Sequence, residues 1–202
     1  MRQSRPLAYT LLAGSMFLAA ALPAMAAPNV CAFRAYSDAR DPGGTNVRSG
    51  PGTSFGIVDV LMPEKDDSDY VWSPEFAVTK FENGWFQIGD ATAGQYGDGP
   101  EVQVFKGPGW VSAKLVKFAI EDWNLRDGPS WDAKVILEMA SDTPWYIDSL
   151  RVQTVHACDG GFLDVTLVND ASDTRRGWVN NICGNQATTC SMGSERFDDE
   201  AE

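Results

Sequence analysis

The stretch TNVRSGPGTSFGIVDVL (residues 45–61) returns as WNLRDGPSWDAKVILEM (residues 123–139), without a gap and at a constant shift of 78 positions. Asn46/Asn124, Arg48/Arg126, Gly50/Gly128 and Pro51/Pro129 coincide, and Val47/Leu125, Ile57/Val135, Val58/Ile136 and Leu61/Met139 stay apolar. Further along, NGWFQIG (83–89) has a counterpart in GGFLDVT (160–166), and GWVSAKLV (109–116) in GWVNNIC (177–183). Three features recurring in one order mark a tandem duplication, each copy being one supersecondary unit.

Both copies read as all-β. Short runs rich in Val, Ile, Phe and Trp (IVDVLM, FAVTKF, WFQI, VQVF in the first; KVILEM, WYIDSLRVQTV, FLDVTLV in the second) alternate with Gly, Asn, Asp and Pro clusters. ENGW (82–85) and DGGF (159–162) carry the residues that tight hairpins need for positive φ. Strands this short and this regularly punctuated must close on themselves or pack in layers, because open edges are a liability. The expectation is two small barrels or sandwiches in tandem.

The order N-[VL]-R-x-G-P, a strand ending in Leu or Met, a [ND]-G hairpin and a final G-W-V resembles the bacterial SH3-like domain, SH3b. The resemblance covers about Val30–Phe118 and Ala119–Cys183. It implies two SH3-like barrels in tandem and a binding role, on cell-wall glycopeptide or on another protein, without catalysis. The first copy departs from the pattern through the extra residues PEKDDSDYVWSPE (63–75) and GDATAGQYGDGPEVQVFKGP (89–108), which fall between strands, where loops acquire binding roles.

Residues 1–26 read as a signal peptide. Arg2 and Arg5 precede an apolar run from Leu7 to Leu22, and Ala24-Met25-Ala26 supplies the small residues of a cleavage site. The division that follows is a signal peptide over 1–26, SH3-like domains over 27–118 and 119–190, and an acidic disordered tail over 191–202. Export places the chain in the periplasm or outside the cell, with no stable membrane insertion after cleavage. Without Arg2 and Arg5 the basic count falls from 16 to 14 against 28 acids, a net charge of −14. Phosphate backbones need a basic surface, so nucleic acid is excluded as a partner.

Four cysteines, Cys31, Cys158, Cys183 and Cys190, all follow the signal. An even number in an oxidising compartment reads as two disulfides, with three possible pairings. CGNQATTC can close locally, which favours Cys183–Cys190 and leaves Cys31–Cys158 to tie the two halves together. A zinc site with His156 is disfavoured, since HACDG lacks a C-x-x-C knuckle. No cofactor is expected.

The repeat motif itself is read as structural. Gly50-Pro51 and Gly128-Pro129 make the turn, with proline fixing φ and glycine reaching conformations that others avoid. Asn46 and Asn124 are suited to hydrogen-bonding nearby backbone. Arg48 and Arg126 are suited to spreading a guanidinium over carbonyls or an aromatic ring, the competing role being a clamp for a ligand carboxylate. Trp85, Trp110 and Trp178 sit at repeated strand positions and are assigned to packing. Tyr70, Trp72, Trp131, Trp145 and Tyr146 fall in or beside loops, where an aromatic face can stack on a sugar or grip an extended peptide, and they are the candidate ligand contacts. DDSD (66–69) lacks the spacing of a calcium loop. No nucleophile motif or zinc helix is present in the sequence, so a small hydrolase working with Asp and Glu ranks last, behind an envelope ligand and a basic protein partner.

Overall fold

Alternation writes the long strands of the first copy. In a computed structural model, β1 (Asn29–Ser37) buries Cys31, Phe33, Ala35 and Ser37 and turns Val30, Ala32 and Arg34 outward, the period of two that a half-buried strand requires. The structure describes residues 29–38, 42–65, 71–93, 101–184, 186 and 194–195. The signal peptide, most of the expected tail and Tyr70 lie outside these.

The first copy continues with β2 (Thr45–Arg48), β3 (Ile57–Leu61), β4 (Glu64–Lys65), β5 (Val71–Trp72) and β6 (Glu75–Glu82). It then forms β7 (Trp85–Ala93), β8 (Val102–Phe105), β9 (Gly109–Ser112) and β10 (Val116–Lys117). The second copy forms β11 (Ala119–Ile120), β12 (Asn124–Arg126), β13 (Val135–Glu138) and β14 (Arg151–Asp159). It ends with β15 (Phe162–Val168), β16 (Thr174–Val179), β17 (Ile182–Cys183) and β18 (Ser194–Glu195). Among the described residues the only helical turns are 3-10, at Ala113–Leu115 and Ile147–Ser149. The chain is all-β.

Sheet order repeats with the sequence. One sheet runs β10-β1-β6-β7-β9-β2-β3 with β8 beside β7, and another runs β13-β12-β16-β15-β14. The paths β3-β2-β9-β7-β6 and β13-β12-β16-β15-β14 are the same five-strand arrangement. Arg48 pairs with Trp110, and Arg126 with Trp178. Each arginine also sits at a β-bulge: the register steps from Val47–Asp59 to Arg48–Ile57, and from Leu125–Leu137 to Arg126–Val135. Val58 and Ile136 are therefore left over at equivalent places. Among the described residues neither sheet closes into a barrel by hydrogen bonding, and β3 and β13 end their sheets as edges.

The hairpin turns behave as the dipeptides require. Asn83 and Gly84 both take positive φ, at 51° and 80°, the signature of a type I′ turn. In DGGF only Gly160 does, at 57°, which suits a type II′ turn. Gly50, by contrast, is not in the left-handed region. It is needed for space, because a Cβ there would overlap the Phe55 ring. In the second copy Ala133 replaces Phe55, and a Cβ on Gly128 would meet only the Ala133 methyl at 3.6 Å.

The glycines of the two G-W-V motifs are also sites of close approach. A Cβ on Gly109 would overlap Val47 Cγ1, and one on Gly177 would lie 2.7 Å from both the Arg126 carbonyl oxygen and Leu125 Cγ. Backbone cannot swing aside as a long side chain can. Gly177→Ala is therefore expected to lose roughly 1–3 kcal/mol of stability through overpacking, read as a lower urea midpoint at unchanged m.

Between the copies, Val116–Glu121 is no tether. Val116, Phe118 and Ile120 are fully buried, β10 pairs with β1, and β11 pairs with β17 and β18. Ser194–Glu195, within the stretch read as a tail, pairs with Ala119–Ile120 on the side of β11 away from β17. One hydrophobic cluster runs from Phe33, Phe76 and Phe86 in the first copy through Phe118 to Leu125, Leu163 and Leu167 in the second. Phe33 joins it edge-on to both Phe86 and Phe118.

Three further connections cross between the copies. The Cys31–Cys158 disulfide links β1 to β14. Beside it the Ala32 amide donates to the Gly160 carbonyl at 2.6 Å, and the Gly160 amide to the Val30 carbonyl at 2.9 Å. Past β17, Gln186 reaches back to the first copy: its side-chain amide accepts from the Ser73 N–H at 3.0 Å and donates to the Ser73 carbonyl at 2.6 Å. Cys183 is also disulfide-bonded, and Cys190, its expected partner, lies outside the described residues.

Candidate functional site

The turn that carries N-x-R-x-G-P fixes an arginine, and the arginine fixes an aromatic ring. In the first copy Arg48 donates through one terminal nitrogen to the carbonyls of Thr53, at 3.1 Å, and Phe55, at 2.7 Å. The guanidinium carbon also lies 6.0 Å from the centroid of the Trp85 ring. The backbone closes the same loop, with Ser49 N–H to Gly56 O and Phe55 N–H to Gly52 O. These bonds, rather than the Asn46 side chain, hold the turn.

The second copy keeps the turn and changes what lies on it. Asp127 N–H donates to Lys134 O and Ala133 N–H to Ser130 O, each 78 positions on from its first-copy equivalent. Arg126 is now buried, and its terminal nitrogen bonds both the Asp122 carboxylate and the Asn124 carbonyl. Asp122 is a small hub. Its oxygens also accept from the backbone N–H groups of Asn124 and Asn180, both at 3.0 Å. The Asp122 charge is paired and its oxygens are occupied, which makes its burial tolerable, while Arg126 Nε is buried with no hydrogen-bond partner among the described residues.

Trp131 lies over this pair. Its ring centroid is 5.0 Å from the Arg126 guanidinium carbon and 5.4 Å from the Phe162 ring, in an edge-on arrangement. Phe162 occupies the place in the hairpin that Trp85 has in the first copy. The result is a tilted ledge of Trp131, Phe162 and Arg126 at the end of the second sheet. Trp131 is 62% exposed although gripped on two sides. A large ring in contact on two sides yet open to water offers one face for stacking.

The other candidate aromatics do not join it. Trp72 is 7% exposed in β5, and Trp145 is 8% exposed beneath the Arg175 guanidinium, whose carbon is 5.0 Å from its centroid. Both rings serve packing as they stand. Tyr146 is half-buried and faces Trp123, 6.2 Å away. Of the tryptophans assigned to packing, Trp110 is buried while Trp85 and Trp178 are half-covered. Phe162, Trp123 and Phe55 were not singled out from sequence. Phe162 was legible through the repeat, since it aligns with Trp85.

Among the described residues, no three His, Cys, Asp or Glu side chains gather as metal ligands. Cys158 is committed to its disulfide, and His156 Nε2 lies 2.7 Å from Thr166 Oγ1 across the β14–β15 pair. Arg176 forks onto Asp164, with Nε and Nη2 at 3.0 and 2.7 Å. The hydrogen bonds to Asp164, and its charge, raise the Arg176 pKa above its ordinary value. No family model matches the chain, and no curated protein or solved structure matches it either.

Proposed function

We propose that this chain is an exported, non-catalytic binding protein built from two SH3-like barrels, and that it recognises a cell-envelope ligand, peptidoglycan glycopeptide or peptide. The observation that carries the reading is Trp131, an exposed indole clamped between Phe162 and Arg126. The SH3-like assignment rests on the motif order and on the five-strand arrangement common to both copies, not on hydrogen-bonded closure. Export to the periplasm or beyond is supported by the Cys31–Cys158 bridge, which persists in oxidising compartments. No helix among the described residues is long and apolar enough to cross a membrane.

The test is retention of the oxidised 27–202 protein on purified peptidoglycan sacculi at low and high salt. Trp131→Ala is expected to stay folded, since the ring lies on the surface, and to lose retention by about tenfold or more, as central aromatic contacts do. Soluble muropeptides should displace the native protein. Equal retention of the variant would end the role given to Trp131. A second reading, a basic protein partner, is favoured by the net charge of −14 on the exported protein, which steers cationic surfaces inward. It predicts no retention on sacculi and a complex that weakens as salt rises.

A further inference from the structure

The repeat that organises the fold also carries much of its exposed apolar surface. Phe55, Ile57 and Val58 are exposed in the first copy, and Trp131, Val135 and Ile136 in the second. Consecutive apolar residues exposed on a strand are unusual, because alternation should hide every other one. The bulges explain the geometry. With Val58 and Ile136 unpaired, the alternation slips, and both members of Ile57-Val58 and of Val135-Ile136 meet solvent. The same two strands end their hydrogen-bonded ladders among the described residues, with β8 approaching β3 without pairing to it. Natural proteins blunt such edges with charge or proline, yet these present aliphatic side chains twice, at duplicated positions.

The geometry points to a docking edge: β3 and β13 each take a short, extended, cationic segment of another protein as an added strand. Main-chain bonds would supply affinity, and Ile57-Val58 or Val135-Ile136 would receive the segment's apolar residues. Charge selects the occupant. Asp59 lies within β3, with one carboxylate oxygen already capping the Val60 N–H at 2.8 Å, and Glu64 follows it. Asp127 and Asp132 precede β13 and Glu138 ends it, against Lys134, while Arg126 is neutralised by Asp122. A second molecule of this chain fits less well, since each exported molecule carries −14 and the bulges interrupt any long ladder. This edge does not depend on the Trp131 ledge.

The probe is a fluorescein-labelled octapeptide, KVKTKVKT, with EVETEVET and a KVKTKVKT backbone-methylated at alternate nitrogens as controls. Each is titrated by anisotropy against the intact oxidised protein, with hydrogen exchange followed at residues 57–61 and 135–138. The cationic peptide is expected to bind, to slow exchange at those amides and to weaken with salt, while neither control binds. Val58→Lys with Ile136→Lys, at positions 55% and 46% exposed and so compatible with folding, should weaken it by about tenfold or more. Equal binding of the methylated peptide, or of the double variant, would overturn the proposal, as would no binding at all. Sedimentation showing a dimer that the double variant abolishes, without peptide binding, would assign the edges to a second copy instead. Retention on sacculi by the double variant reports separately on Trp131, which it leaves intact.

Discussion

Removing the Cys31–Cys158 bridge as Cys31→Ala with Cys158→Ala is expected to lower stability by about 5 kcal/mol, the chain-entropy value for a loop of this size. The two cysteines are 127 residues apart in sequence, so the bridge constrains most of the mature chain in its unfolded state. For a domain of this length that corresponds to a fall in Tm of roughly 10–20 °C. Both sulfurs are buried, and the amide pairs between Ala32, Val30 and Gly160 beside them lose their staple when it goes. A calorimetric shift below about 5 °C would mean that the shared core holds the copies together without the covalent link.

Asp122 should be the most sensitive single side chain. Asp122→Ala strips the buried Arg126 guanidinium of its counter-charge and leaves the Asn124 and Asn180 N–H groups without an acceptor. Breaking one side of a buried ion pair costs about 3–5 kcal/mol, chiefly from the orphaned charge. Adding Arg126→Met to Asp122→Ala should return part of that loss, because no buried charge then remains. Urea unfolding of the two single variants and the double closes the cycle. A double variant no better than Asp122→Ala would show that the amide acceptors, not the charge, dominate. Trp131 gives an independent readout, since its emission should shift when the cation beneath it is disturbed.

The sequence made the duplication and the all-β class plain because both rest on short-range chemistry. A 78-residue echo of Asn, Arg, Gly and Pro needs no three-dimensional knowledge, and Asn83-Gly84 fixes its own turn. The arginine role was legible too: Arg48 spreads over two carbonyls and beside an indole, as a guanidinium in a turn is suited to do. What could not be read was burial set by distant partners. Trp72 and Trp145 look alike on paper to Trp131, yet a covering Arg175 and a two-strand ribbon remove them from the surface. Gly50 was assigned to conformation when it is really a matter of volume, because nothing local says that Phe55 folds over it. The bulge at each arginine shows only once strand registers are known, and with it goes the exposure of Val58 and Ile136.

The buried passage from Val116 to Ile120 bears on how this gene can change. Unequal recombination between the two copies, the event that creates such duplications, can also delete one of them. Here a crossover within the 45–61/123–139 echo would remove the 78 residues between the equivalent points, taking Phe118 and Ile120 with them and leaving β1 without its partners β6 and β10. Gln186 would stay, but Ser73 of the first copy, to which it is tied, would be gone. Each copy forms part of the other's interior, so reversal to a single unit would uncover core that the two now share.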